Sequence, residues 1–191
     1  PQPSPSIDTL VVCPLEFRAA LTPWIAHRQA QGHQIELVAN PESAAELRAE
    51  VRRIAAEHPV KYLVLVGDAD PPATHAPLAR ATAVPTHYRP AVVNVRFGSE
   101  PEIATDNWYA DLDDDRIPEL AVGRLTADTH GELAQMVDKI LAYEACQDFG
   151  AWRRQVHFVA GLGGFGPVTD AVLEAAAKTL ITNGIPAGFS T

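Results

Sequence analysis

At 191 residues, 47% apolar and 20% charged, the chain is long enough to bury a core and too apolar to be disordered. Fifteen basic against 24 acidic residues leave a net charge of −9, which argues against nucleic-acid or anionic-membrane partners and fits cationic partners or bound metal. Cys13 and Cys146 cannot make a disulfide framework, and no apolar run approaches the roughly 18 residues of a membrane span.

Pro1, Pro3 and Pro5 alternate with polar residues, so positions 1–6 read as an interdomain linker. Leu10, Val11 and Val12 then form a short buried strand closed by Cys13-Pro14. Phe17, Leu21, Trp24, Ile25 and Arg28 recur at helical spacing. Pro23 inside that stripe predicts a kink, or a restart with Thr22 as cap, and Gly32 ends the helix. A second strand covers 34–38. Ser43 and Glu46 make a capping box for a helix with Leu47, Val51, Ile54 and His58 on one stripe. Positions 62–66 form a third apolar strand ending at Gly67-Asp68.

The first 68 residues thus read β-α-β-α-β. Unbroken apolar strands alternating with helices predict a parallel sheet covered on both faces. Seven prolines between Pro59 and Pro101 mark a long irregular region, with a short strand expected over 91–97. Another strand is expected over 119–123. Thr129 and Glu132 form a second capping box, opening a helix with Leu133, Met136, Val137, Ile140 and Glu144 on one side. A further strand (156–160) and helix (168–181) follow, closed by Asn183-Gly184, with the next strand starting as the chain ends.

The run Ile103-Ala104-Thr105-Asp106-Asn107-Trp108-Tyr109-Ala110-Asp111-Leu112-Asp113 continues through Ile117-Pro118-Glu119-Leu120-Ala121-Val122-Gly123-Arg124-Leu125. Val137-Asp138-Lys139-Ile140 and Tyr143-Glu144 come next. This order resembles the gingipain-type cysteine peptidases, as do the Gly32-His33 turn and the stretch from Tyr62 to Asp68. The resemblance covers most of residues 10–160. It implies a caspase-like α/β three-layer sandwich with a mostly parallel sheet, the first subdomain spanning 7–150 and a second starting at 151–191. It further implies proteolysis by a Cys-His dyad, protein or peptide substrates, and a secreted or cell-envelope location. The family places that dyad after strands of the second subdomain, hence beyond residue 191. No catalytic residue is assigned here, and the chain alone is expected to be inert, its missing partner being the rest of the second subdomain.

Other constellations carry weaker chemistry. His130 and Cys146 imitate a dyad but sit at opposite ends of one predicted helix, about 24 Å apart at ~1.5 Å per residue. Cys13 ends a parallel strand, with no histidine placed to serve it. Asp68 ends the third strand without the acidic pair of a receiver domain. Gly161, Gly163 and Gly166 match G-x-G-x-x-G, the basis of a rival reading as a non-catalytic or nucleotide-binding α/β module, yet Pro167 removes an amide at the helix start. Asp111, Asp113, Asp115 and Glu119 are the strongest local cluster. Carboxylates at positions 1, 3, 5 and 9 resemble the start of a calcium loop, although Arg116 replaces the glycine at position 6. Two readings stand open: a solvated acidic turn before the strand, or a loop holding a structural calcium ion as the one candidate cofactor, with Arg116 able to neutralise part of the charge in either case. Arg124 is expected to pair with a loop carboxylate.

Overall fold

The computed structural model describes residues 6–69, 82–91, 101–157, 164–186 and 188–190. The chain divides into two compact units, Pro1–Ala145 and Cys146–Thr191.

In the first unit β1 (Thr9–Val12), β2 (Ile35–Val38), β3 (Tyr62–Val66) and β6 (Ala121–Leu125) form one parallel sheet in the order β2-β1-β3-β6. The strands pair in register, Val11 lying beside Leu37 and Val64. Successive side chains of β1 leave on opposite faces, and all four are buried, so the strand reads as a continuous apolar run. Leu10 and Val12 join Leu63, Leu65 and the Leu47–Val51–Ile54 stripe of α2 (Ala44–Glu57). Val11 and Cys13 join Leu21 and Trp24 of α1 (Arg18–Ala30) and Leu133 and Val137 of α4 (His130–Ala145). The three layers are therefore α1 and α4, the sheet, and α2 with the short α3 (Asn107–Ala110). Each fully buried Leu or Val contributes about 1.5–3 kcal/mol of burial free energy.

Both capping boxes form. Ser43 Oγ accepts from the Glu46 N–H, while Glu46 reaches the N–H of Glu42. Thr129 Oγ1 accepts from the Glu132 N–H and Glu132 accepts from the Thr129 N–H, both at 3.2 Å. A 3-10 turn, Leu15–Phe17, leads into α1, which runs unbroken through Pro23. Thr22 is therefore no restart cap: its hydroxyl donates to the Arg18 carbonyl at 3.0 Å, one turn back. Gly32, at φ 99°, ends α1: the His33 N–H reaches the Arg28 carbonyl and the Gly32 N–H that of Gln29.

The strand expected over 119–123 starts two residues later, because the Glu119 and Leu120 N–H groups donate to the Ala110 carbonyl and not to the sheet. β4 (Tyr88–Pro90) and β5 (Glu102–Ala104) make a small antiparallel pair that the sequence pattern did not announce. Of the strand expected over 91–97 only Ala91 is described, outside any strand; its N–H donates to the Pro101 carbonyl. The strand expected over 156–160 lies mostly outside the described residues, as do residues 1–5 of the linker.

In the second unit a 3-10 turn, Ala151–Arg154, precedes α5 (Pro167–Gly184). Gln155 and Ser190 form an isolated parallel bridge, with the Ser190 N–H on the Arg154 carbonyl and the Val156 N–H on the Ser190 carbonyl, both 2.8 Å. None of the α5 side chains is buried.

Candidate functional site: the acidic turn and its arginines

α3 leads into the turn that carries the predicted carboxylates. Asp111 caps its C-terminal end and is 6% exposed. One oxygen each from Asp111, Asp113 and Asp115 lie within 4.8 Å of one another. Oxygens that ligate one calcium at 2.3–2.6 Å are at most about 5 Å apart, so this spacing fits such an ion. The turn is also held by its own carboxylates. Asp111 Oδ1 accepts from the Asp114 N–H, Asp113 from the Asp115 N–H, and Asp115 from the Ile117 N–H. Glu119 accepts from the Leu112 N–H, which ties the two ends of the turn together. Asp114 and Arg116 take positive φ, 71° and 75°, the conformation that lets the chain fold back here.

Arg48 and Arg52, one turn apart on α2, meet this turn from the side. Arg48 Nη1 lies 2.8 Å from Asp114 Oδ1 and Arg52 Nη2 2.9 Å from Oδ2. Both arginines donate to the Asp111 carbonyl, Arg48 at 2.6 Å. Arg48 is itself buried and stands 4.4 Å from the centre of the Trp108 ring. Hydrogen bonds from Arg52 and then Arg48 hold the Asp114 carboxyl below the usual carboxylate range. The sequence reading considered Arg116 as the neutralising cation; α2 supplies the two arginines paired with Asp114. Their signal was two arginines at i and i+4 beside an apolar stripe, which fixes a shared face but not what that face meets.

Arg124 closes the C-terminal edge of the sheet. Its guanidinium grips Asp106 through two bonds of 2.7 and 2.9 Å and donates to the carbonyls of Gly67, Asp68 and Val84. The expected pairing with a loop carboxylate is present.

The remaining candidates separate. Cys13 is fully buried, and burial pushes its thiol up to about 11, opposite to what a nucleophile needs. His130 opens α4 and Cys146 follows its last residue, so the 16-residue helix stands between them. Of the glycine turn, 161–163 lie outside the described residues. At its end, Pro167 occupies the first helical position and the Phe165 N–H bonds the Asp170 carboxylate, placing negative charge where a pyrophosphate would sit. Asp68 accepts from the Ala69 N–H.

The model of peptidase family C25 matches residues 2–191. The Lys-gingipain of Porphyromonas gingivalis W83 is 26% identical over 166 residues, 81% of this chain. A second Porphyromonas gingivalis Lys-gingipain is 26% identical over 148 residues, 72% of the chain. The chain spans about 8% and 7% of the length of these two relatives. A solved structure titled "Structure of Protease" superposes with a TM-score of 0.54 at 24% identity, covering 74% of this chain and 29% of that one. It shares the caspase-like sandwich with its mostly parallel sheet.

Proposed function

The chain belongs to peptidase family C25, and from that premise we propose that it forms the first subdomain, and the start of the second, of a gingipain-like cysteine endopeptidase. The family match over residues 2–191 is the observation that carries this reading. The parent reaction is amide hydrolysis: a thiolate attacks the peptide carbonyl, the amine leaves with a proton from histidine, and water releases the acyl group. Neither cysteine here suits that role. Cys13 is sealed in the core with a raised pKa, and Cys146 is separated from His130 by a helix. In this reading the dyad comes from outside these 191 residues, and the chain by itself is inert. A secreted or cell-envelope location belongs to the same reading. Among the described residues no helix is long and apolar enough to cross a membrane.

The acidic turn supports a second element of the proposal. Asp111, Asp113 and Asp115, with Glu119 tying the turn, are the groups that would hold a structural calcium ion, whose chemistry is charge neutralisation and not catalysis.

The test is peptidase activity of the longer encoded protein, with casein and lysyl peptides as substrates. Thiol-dependent cleavage that iodoacetamide stops is expected there, and none from the 191-residue chain. Cleavage by this chain that a Cys146→Ser change abolishes would overturn the placement of the dyad. A longer protein with no thiol-dependent activity would overturn the peptidase assignment.

A further inference from the structure

A cleft of about 280 Å³ opens between β4, α3 and the acidic turn, on the α2 side of the sheet. His87 and Trp108 stack in its wall, ring centres 3.9 Å apart and planes 15° from parallel. Arg89 and Arg116 line it with Thr105 and Asn107. Arg89, Arg116 and Asn107 are exposed, and among the described residues none of these four side chains makes a hydrogen bond or ion pair. The carboxylates in the same wall are already engaged: Asp114 by Arg48 and Arg52, and Asp111 by the Asp114 N–H and Arg48. The open hydrogen-bonding capacity of the cleft is thus two guanidinium forks, an amide and a hydroxyl beside a fixed aromatic stack.

We propose that this cleft is a carboxylate-binding subsite, taking an acidic side chain or the C-terminal carboxylate of a polypeptide between Arg89 and Arg116 against the His87–Trp108 stack. A guanidinium fork matches the two oxygens of a carboxylate, and charge-assisted bonds of this kind are short and directional. A singly charged group suits the cleft better than a phosphate, because Asp113 and Asp115 on the same turn repel a dianion more strongly. The net charge of −9 disfavours polyanions in general. The choice of a polypeptide as the ligand's source rests on the peptidase-related reading above. The test measures binding alone, so its failure leaves that reading intact.

The experiment is a titration of the chain with short labelled peptides, followed by fluorescence anisotropy and by NMR shifts at His87 and Trp108. One peptide carries Asp and Glu with an amidated end, one carries Asn and Gln in their place, and one is neutral with a free C-terminal carboxylate. The two carboxylate peptides are expected to bind and to move the His87 and Trp108 signals. The neutral amidated peptide should bind about 10–100-fold more weakly, the loss expected for a hydrogen bond to a charged group. Arg89→Gln and Arg116→Asn should each weaken binding about tenfold, and Arg89→Glu should shift preference toward a lysyl peptide. Should a variant fail to fold, the wild-type shifts and the charge discrimination decide on their own. Equal affinity for acidic and neutral amidated peptides, shifts confined to other residues, or wild-type binding by a folded double variant overturns the proposal. So does displacement by inorganic phosphate at lower concentration than by acetate.

Discussion

Asp106→Ala tests how the C-terminal edge of the sheet is held. The Arg124 side chain is 8% exposed and that of Asp106 25%. Removing the carboxylate leaves a buried cation with the carbonyls of Gly67, Asp68 and Val84 and the Thr86 hydroxyl, at 3.2–3.4 Å. Breaking a buried pair in this way costs about 3–5 kcal/mol. Asp106 is a quarter exposed, and water can partly replace it, so about 2–3 kcal/mol is expected. For a chain of this size that lowers Tm by roughly 5–10 °C. Arg124→Met keeps the length and removes the charge; it costs about as much, because three carbonyls and Asp106 lose their donor. The double variant should lose clearly less than the sum, with a coupling of about 1.5–2 kcal/mol. The assay is a double-mutant cycle by urea and thermal unfolding at one pH. Additive losses, or a single-variant loss below about 1 kcal/mol, would refute the claim that this pair locks the loop after β3 to β6.

Cys13→Ala should remove a pH dependence. The thiol lies near 9.0 when free and is pushed up to about 11 by burial, so the folded state keeps its proton where the unfolded state loses it. Stability is full below pH 9 and falls between 9 and 11, by on the order of 2 kcal/mol; the difference between wild-type and variant melts across that window measures it. Gly67→Ala should abolish folding of the first unit, since a Cβ at φ 132° would collide with the Thr82 carbonyl, whereas Gly32→Ala, with open space around it, should cost about 1 kcal/mol. Far-ultraviolet dichroism and melting separate the two cases. At roughly 1 mM calcium, against EDTA, the chain should gain about 3–5 °C in Tm for a site of Kd ~10⁻⁴ M. Asp113→Asn should remove that gain and leave the Arg48 and Arg52 pairs in place; equal shifts in both proteins, or none in the wild type, would reduce the turn to a solvated acidic loop.

What could be read in advance divides along the reach of each interaction. β1, β3, α2 and α4 were legible because their apolar stripes and capping boxes are local, and burial on both faces selects such strands whatever surrounds them. The same local rules misplaced the start of β6. Leu120 looks like a strand residue, yet its N–H goes to the Ala110 carbonyl, an acceptor ten positions back that no pattern indicates. β4 and β5 escaped for a related reason. Three residues each, one ending in Pro90, carry too little alternation to register, and their pairing depends on a loop closing across the intervening segment.

The acidic turn shows how a charge count read along the chain misses neutralisers that folding supplies. Asp111, Asp113, Asp114 and Asp115 are adjacent in sequence, and unit charges ~5 Å apart repel by about 1–3 kcal/mol, so a cation is called for. Read linearly, the only candidates are Arg116 and a metal. Folding offers two more, Arg48 and Arg52, which approach from a helix about sixty residues earlier and take Asp114. Arg48 and Arg52 thus offset part of the negative charge that the carboxylates of the turn carry in sequence. Asp114 meets both arginines and Asp111 meets Arg48 at 3.6 Å, while Asp111, Asp113 and Asp115 still bring one oxygen each within 4.8 Å of one another. α2 neutralises Asp114 whether or not an ion is present, and the calcium ion proposed above would act at the alternate aspartates. Asp114→Asn and Asp113→Asn should therefore have distinct consequences: the first loosens the contact between α2 and the turn at any calcium concentration, and the second, whose amide oxygen can still accept from the Asp115 N–H, costs little without calcium and removes the gain that calcium would give.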